Sequence, residues 1–239
     1  MRPLTDTLPK PLLSVAGRPL IAHLIQRLVY EGYVDIIINH AYLGALIERT
    51  LGDGQKFGAR IRYSREQLGI FDTGGGIRNA LPLLGDAPFP VVNGDIWTDY
   101  PFSRLPKSPH GLAHLVLVVN PPYNTKGDFG LISSPVVGGL SARHGQGLDS
   151  LSFPPVPPPP NGRVSNREGE RLTFSGLGVY RPELFFDWKP GNFSLTQVLR
   201  RAVERGQVTG ERYTGDWRDI GTPERLQELA KRFQGGARE

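Results

Sequence analysis

At 239 residues, 38% hydrophobic and 21% charged, the chain carries enough apolar material for a sizeable core and is not globally disordered. Its net charge of +5 is scattered in ones and twos, which suits anionic small substrates and falls short of the basic stripe of a nucleic-acid binder. The absence of cysteine excludes disulfides, thiolate metal sites and cysteine nucleophiles, and no apolar run approaches the ~20 residues of a transmembrane helix.

The opening residues, from Met1 to Asp6, lack the apolar stretch of a secretion signal, so a cytoplasmic protein with no membrane contact and no obligatory protein partner is expected. Pro3, Pro9, Pro11 and Pro19 make the first fifteen residues a loop. Pro19 suits the first turn of a helix whose stripe is Leu20, Ile21, Leu24, Ile25, Leu28 and Val29, ended by Gly32. Val34 to Ile38 is a buried strand, and Leu43, Leu46, Ile47 and Leu51 mark a second helix. A strand at Arg60 to Tyr63 precedes Thr73-Gly74-Gly75-Gly76 and a helix through Ile77, Ala80, Leu81 and Leu84. Strands follow at Phe89 to Asn93, where Pro90 weakens the pattern, and at Leu112 to Val119. This alternation indicates an α/β fold with helices on both faces of a sheet.

Residues 133–169 break the pattern. They are rich in Gly and Pro, with the run Pro154 to Pro160, and read as a disordered insertion in a single domain spanning 1–239. A ligand for a proline-binding partner is the rarer alternative for such a composition. Structure resumes with a strand at Leu172 to Tyr180. Ser194 to Gln197 is a capping box for a helix carrying Leu195, Val198, Leu199, Ala202 and Val203. Tyr213 to Ile220 is extended, and the last helix has Thr222 as cap and Pro223 at its first position.

Asp95 closes an apolar strand in Asn93-Gly94-Asp95, where ligands of open α/β sheets bind. It is a candidate for holding Mg²⁺ against a triphosphate, or else an aspartate that closes a turn. Asp219, in Trp217-Arg218-Asp219-Ile220-Gly221-Thr222, needs a partner in its apolar context: a metal shared with Asp95, or an ion pair with Arg218 or another basic residue. Lys10 is framed by Pro9 and Pro11, a rigid mount for a cation that meets phosphate. The glycines after Thr73 let a ligand approach the backbone at a helix start. No Walker loop, dinucleotide fingerprint or Gly-x-Ser-x-Gly element is present. His40 ends a strand and is read as structural before it is read as a ligand contact.

In series, Arg2-Pro3-Leu4-Thr5, Pro9-Lys10-Pro11-Leu12, Gly17-Arg18-Pro19-Leu20, Thr73-Gly74-Gly75, Asn93-Gly94-Asp95 and Trp217 to Thr222 resemble the sugar-1-phosphate nucleotidyltransferases. Asn39 to Gly44, Gly94 to Tyr100 and Gly127-Asp128-Phe129 are similar to a subgroup of bacterial cell-wall recycling. The resemblance implies a Rossmann-like α/β/α domain with a mixed sheet, and attack of a sugar 1-phosphate (N-acetylmuramate 1-phosphate in that subgroup) on the α-phosphorus of UTP with release of pyrophosphate. It implies that Lys10 contacts the nucleotide phosphates and that Thr73 and Gly74 line the nucleoside pocket. Asn93 and Asp128 would hold the sugar, with Ser175 and Gly176 as further sugar-side candidates, and Asp95 and Asp219 would bind Mg²⁺. Members of this family open with a strand and a Gly-rich loop ahead of Arg-Pro-Leu-Thr, whereas here Met1 directly precedes Arg2. The expectation is a domain lacking its first strand, phosphate-cradling loop and loop arginine, with neighbouring strands left unpartnered. A non-catalytic binding protein on the same fold, or a transferase of another nucleotide or hexose 1-phosphate, are the alternatives.

Overall fold

Proline fixes φ near −65°, and Pro9 and Pro11 accordingly set a single 3-10 turn at Lys10–Leu12 where the chain enters the core. The computed structural model describes residues 1, 3–66, 71–133 and 162–235. A hairpin of β1 (Ser14–Val15) and β2 (Arg18–Pro19) turns through Ala16 and Gly17, both at positive φ, the geometry that suits a two-residue loop. Because Pro19 is held in that ladder, it is the extended residue preceding α1 (Leu20–Tyr30), not its first helical residue as expected. β3 (Asp35–His40), α2 (Gly44–Leu51) and β4 (Arg60–Arg65) form a parallel crossover. α3 (Thr73–Leu84) starts at Thr73, so the glycines are its first turn and not a loop ahead of it.

The remaining elements are β5 (Phe89–Val92), β6 (Ile96–Thr98), β7 (Ala113–Val118), β8 (Phe129–Ser133), β9 (Gly162–Ser165), β10 (Glu170–Tyr180), α4 (Leu195–Glu204), β11 (Val208–Tyr213), β12 (Trp217–Asp219) and α5 (Pro223–Gly235). Six of them make a mixed sheet in the order β5-β10-β7-β11-β9-β8, with β7 and β11 parallel and the other neighbours antiparallel. Alternate residues of β7 face opposite ways. Leu115 and Leu117 pack with Ile77 of α3 and Leu199 of α4, while Val116 and Val118 join a cluster that Leu24 and Leu28 of α1 cover. The three-layer arrangement is therefore as expected. Pro90 is tolerated because β5 is the edge of this sheet. The capping box of α4 forms in full, with Gln197 N–H donating to Ser194 Oγ at 3.2 Å.

The expected interruption at 133–169 is corrected at both ends. Ser133 closes β8, and β9 pairs on one side with β11 and on the other with β8. Arg163-Val164-Ser165 lies beyond the last proline of the run and has the N–H groups a ladder needs. Residues 134–161, with the Pro154 to Pro160 run, lie outside the described residues.

The sheet is split, as an unpartnered pair of neighbours requires. Among the described residues, β3 pairs with β4 alone and β5 with β10 alone. Between the two unpaired edges lies a cavity of about 650 Å³, walled by Ile37 and Ile38 of β3, Val91 and Val92 of β5, Ile25 of α1 and Ile77 of α3. Pro11 sits at the carboxyl end of both strands: it shares a cavity wall with Asn39 and lies against Gly94. The two edges therefore point the same way and face each other across apolar space.

Candidate active site

The two aspartates that sequence placed far apart meet across one ladder. β6 and β12 are antiparallel with Asp219 opposite Ile96, and Ile220 N–H donates to Asp95 O at 2.8 Å. Both carboxylates wall a cavity of about 340 Å³, and each keeps about a third of its side chain accessible (34% and 35%). Each also has its own cation. Lys10 Nζ lies 3.4 Å from Asp95 Oδ2, and Arg225 Nη1 lies 3.2 Å from Asp219 Oδ2. The ion-pair rival for Asp219 is thus real but comes from Arg225; Arg218 instead pairs with Asp216 at 3.1 Å.

Two adjacent carboxylates open to one cavity are the hard-oxygen donor set that suits a divalent cation such as Mg²⁺, which takes one or two carboxylates and completes its shell with water and substrate phosphates. No group of three or more His, Cys, Asp or Glu side chains that could hold a metal occurs among the described residues. A two-carboxylate site does not need one. The donors present fit the ion.

On the sugar side, Asn93, Ser175 and Gly176 wall the same cavity as the two aspartates. Ser175 and Gly176 sit at a bulge where β10 shifts register against β7, and Gly176 has φ +80°, which favours glycine. The Ser175 hydroxyl donates to Val116 O at 2.7 Å and is buried, so its interior bonding is satisfied by the protein. Asp128 accepts from Phe174 N–H at 2.8 Å and from Asn124 Nδ2 at 3.2 Å, pinning the loop before β8 to β10. Asn124 from that loop, not Asp128, walls the cavity.

On the other side of Asn93, the inter-strand cavity runs past Thr73 and Asn39, and an adjoining one of about 470 Å³ is walled by Lys10, Asn39 and His40. The first turn of α3 is less open than its glycines suggest. Gly75 N–H donates to Phe193 O at 3.1 Å, and Thr73 N–H to the Asp72 carboxylate at 2.6 Å. The space a Gly74 side chain would need is filled by Phe193, with ring and carbonyl atoms within 2.9 Å of the Cβ position. Close approach here is made by protein. Gly74→Ala is therefore expected to destabilise the fold by about 1–3 kcal/mol, measured by urea denaturation, through overpacking against Phe193. His40 bonds Glu48 at 2.8 Å, and Arg65 with His40 holds the Glu48 carboxyl down at about 2.

Sequence reasoning missed Tyr123 and Asn124 of the loop before β8, Thr173 of β10 and Arg225 of the first turn of α5, whose neighbours are fixed only by folding. It also missed Glu66, which follows β4 as Asp95 follows β5. Burial pushes the Glu66 carboxyl up, and it walls the inter-strand cavity near Asn39 and Gly76. The strand-end rule that singled out Asp95 would have found it.

The family described as nucleotidyl transferase matches residues 1–235. An N-acetylmuramate alpha-1-phosphate uridylyltransferase of Neisseria meningitidis serogroup B is 47% identical over 236 residues, 95% of this chain and 90% of the relative. A protein of the same description from Caulobacter vibrioides is 31% identical over 230 residues, 94% of this chain and 88% of its own length. Among solved structures, a UDP-glucose pyrophosphorylase complexed with UDP-glucose superposes with a TM-score of 0.70 over 99% of this chain and 94% of that one, at 15% identity.

Proposed function

Because the chain belongs to the nucleotidyl transferase family, we propose that it transfers the uridylyl group of UTP to N-acetylmuramate 1-phosphate, giving the UDP-sugar and pyrophosphate. The carrying observation is the meeting of Asp95 and Asp219 beside Lys10, at Asn93, where the nucleoside-side and sugar-side cavities adjoin. An oxygen of the sugar phosphate bonds to the α-phosphorus, and the bond from that phosphorus to the bridging oxygen of the leaving pyrophosphate breaks. Positioning and charge neutralisation do most of the work in such a transfer.

Asp95 and Asp219 would hold Mg²⁺, which when bound neutralises phosphate charge and polarises the phosphoryl oxygens. Lys10 presents an ammonium to the phosphates, and its proline frame limits how far that charge can wander. Thr73 and Glu66 face the nucleoside side, Glu66 offering a carboxyl acceptor suited to the N–H of uracil. Gly74 supports Thr73 from behind by letting α3 lie against Phe193. Asn93, Asn124 and the main chain at Ser175 and Gly176 offer polar groups to the sugar hydroxyls, and Asp128 fixes the loop that carries Asn124. The reading extends to cytoplasmic recycling of peptidoglycan sugars. No helix among the described residues is long and apolar enough to cross a membrane.

The test is pyrophosphate release from UTP and N-acetylmuramate 1-phosphate with Mg²⁺, against EDTA-treated enzyme and against dTTP and GTP. Release dependent on UTP, sugar and metal together supports the reading. Calorimetric binding of the sugar phosphate without release under any nucleotide would favour a binding protein instead.

A further inference from the structure

N-acetylmuramate 1-phosphate differs from N-acetylglucosamine 1-phosphate by a lactyl ether, and so brings a carboxylate as well as a phosphate. The wall it approaches already holds the carboxylates of Asp95 and Asp219, so a second anion on the sugar is repelled unless a cation meets it. Lys10 is directed at Asp95 and the phosphates. Arg218 is engaged by Asp216, and Arg171 donates to the main-chain oxygens of Lys126, Asn166 and Gly127. Arg225, in the first turn of α5, is different. Its Nη1 contacts Asp219, its guanidinium carbon lies 3.5 Å from the centre of the Tyr123 ring, and its Nε and Nη2 have no partner among the described residues.

Both of its neighbours, Asp219 and Tyr123, belong to the wall of the sugar-side cavity, so the guanidinium packs directly against that wall. Stacking on one face and pairing at one nitrogen fix its plane and leave a pair of N–H donors, the fork that matches a carboxylate. Building on the transfer reading above, we propose that Arg225 is the specificity residue that receives the lactyl carboxylate of the acceptor, with Tyr123 as its platform. Discrimination against N-acetylglucosamine 1-phosphate then comes from an unmade charged hydrogen bond, the kind of difference a site registers strongly.

The experiment is calorimetric titration of both sugar phosphates into wild-type chain, Arg225→Gln, Arg225→Lys and Tyr123→Leu, with turnover measured separately. Wild type is expected to bind N-acetylmuramate 1-phosphate about 10- to 100-fold more tightly than N-acetylglucosamine 1-phosphate, the range of a charged hydrogen bond. Arg225→Gln should bring the two to near parity and Arg225→Lys restore part of the gap. Tyr123→Leu, a change at a half-exposed side chain that leaves the core alone, should narrow the gap in the same direction if Arg225→Gln fails to fold. Equal weakening of both ligands, no preference in wild type, or no binding of either would overturn the assignment. A preserved preference without pyrophosphate release would count against the transfer reading alone.

Discussion

Asp95→Asn is expected to lower kcat about 10³-fold while leaving the melting temperature within a few degrees of wild type. Removing one preorganised charge contact from a group-transfer site typically costs about 10²–10³ in rate, and a metal ligand lies at the upper end. The stability change is small because the Lys10 pair it breaks is 41% exposed on the lysine side and 34% on the aspartate side, and screened by water. Asp219→Asn should act alike, and the double variant should be little worse than either single one, since the two carboxylates serve one function. Pyrophosphate release at saturating UTP checks this. An Asp95→Asn enzyme that keeps more than about a tenth of wild-type kcat would sink the assignment of these residues to catalysis.

Supplying an extended apolar segment to the slot between β3 and β5 should produce the largest gain in stability. Two strand edges there have no ladder partner among the described residues, and the space between them is walled by Ile37, Ile38, Val91 and Val92. Burying two or three aliphatic side chains in it would contribute about 3–6 kcal/mol before any ladder hydrogen bond is counted. At this chain length each kcal/mol moves the melting temperature by about 2–4 °C, so a rise of about 10 °C is expected when five or six Val- and Ile-rich residues and a short glycine link precede Met1. Calorimetric melting measures it. The control carries proline at the middle of the segment, which cannot donate to a ladder. Equal melting of the two extended chains would show that the slot does not take a strand.

Most of the alternation was legible because it rests on local pattern. Leu20 to Val29 reads as a helix from its own spacing, and Ser194 to Gln197 closes the capping box that its residues announce. The strands of the sheet's second half were not. β11 reads Val-Thr-Gly-Glu-Arg-Tyr, a sequence that looks like surface, yet Glu211 is fully buried, hydrogen-bonded to Tyr100 and held by Arg104 at 2.8 Å. Those partners lie more than a hundred positions away in sequence, so no window around Glu211 contains the reason it can be buried. β9 was hidden because Gly-Arg-Val-Ser holds a single strand-favouring residue, Val164, and follows a long Gly- and Pro-rich run.

The site shows the same division. Asp95, Asp219, Lys10 and Asn93 stand out in the sequence because each ends an apolar strand or lies in a short recognisable motif, and folding brings them to adjoining cavity walls. At Gly74 the structure adds a packing reason that the sequence did not show, since the missing side chain makes room for Phe193. Arg225 was invisible because its meaning lies in Tyr123, about a hundred residues upstream, and in a helix turn that places it over that ring.

The buried carboxylate in β11 has a consequence for assembly. Glu211 stands opposite Val116, on the face where Tyr100 and Arg104 receive it. Were β11 to align one residue out of step, every side chain would change faces and Glu211 would enter the aliphatic layer of Leu115 and Leu117 with no donor there to meet it. A one-residue slip at the middle of the sheet would thus strand this carboxylate away from Tyr100 and Arg104, a cost that the native alignment avoids.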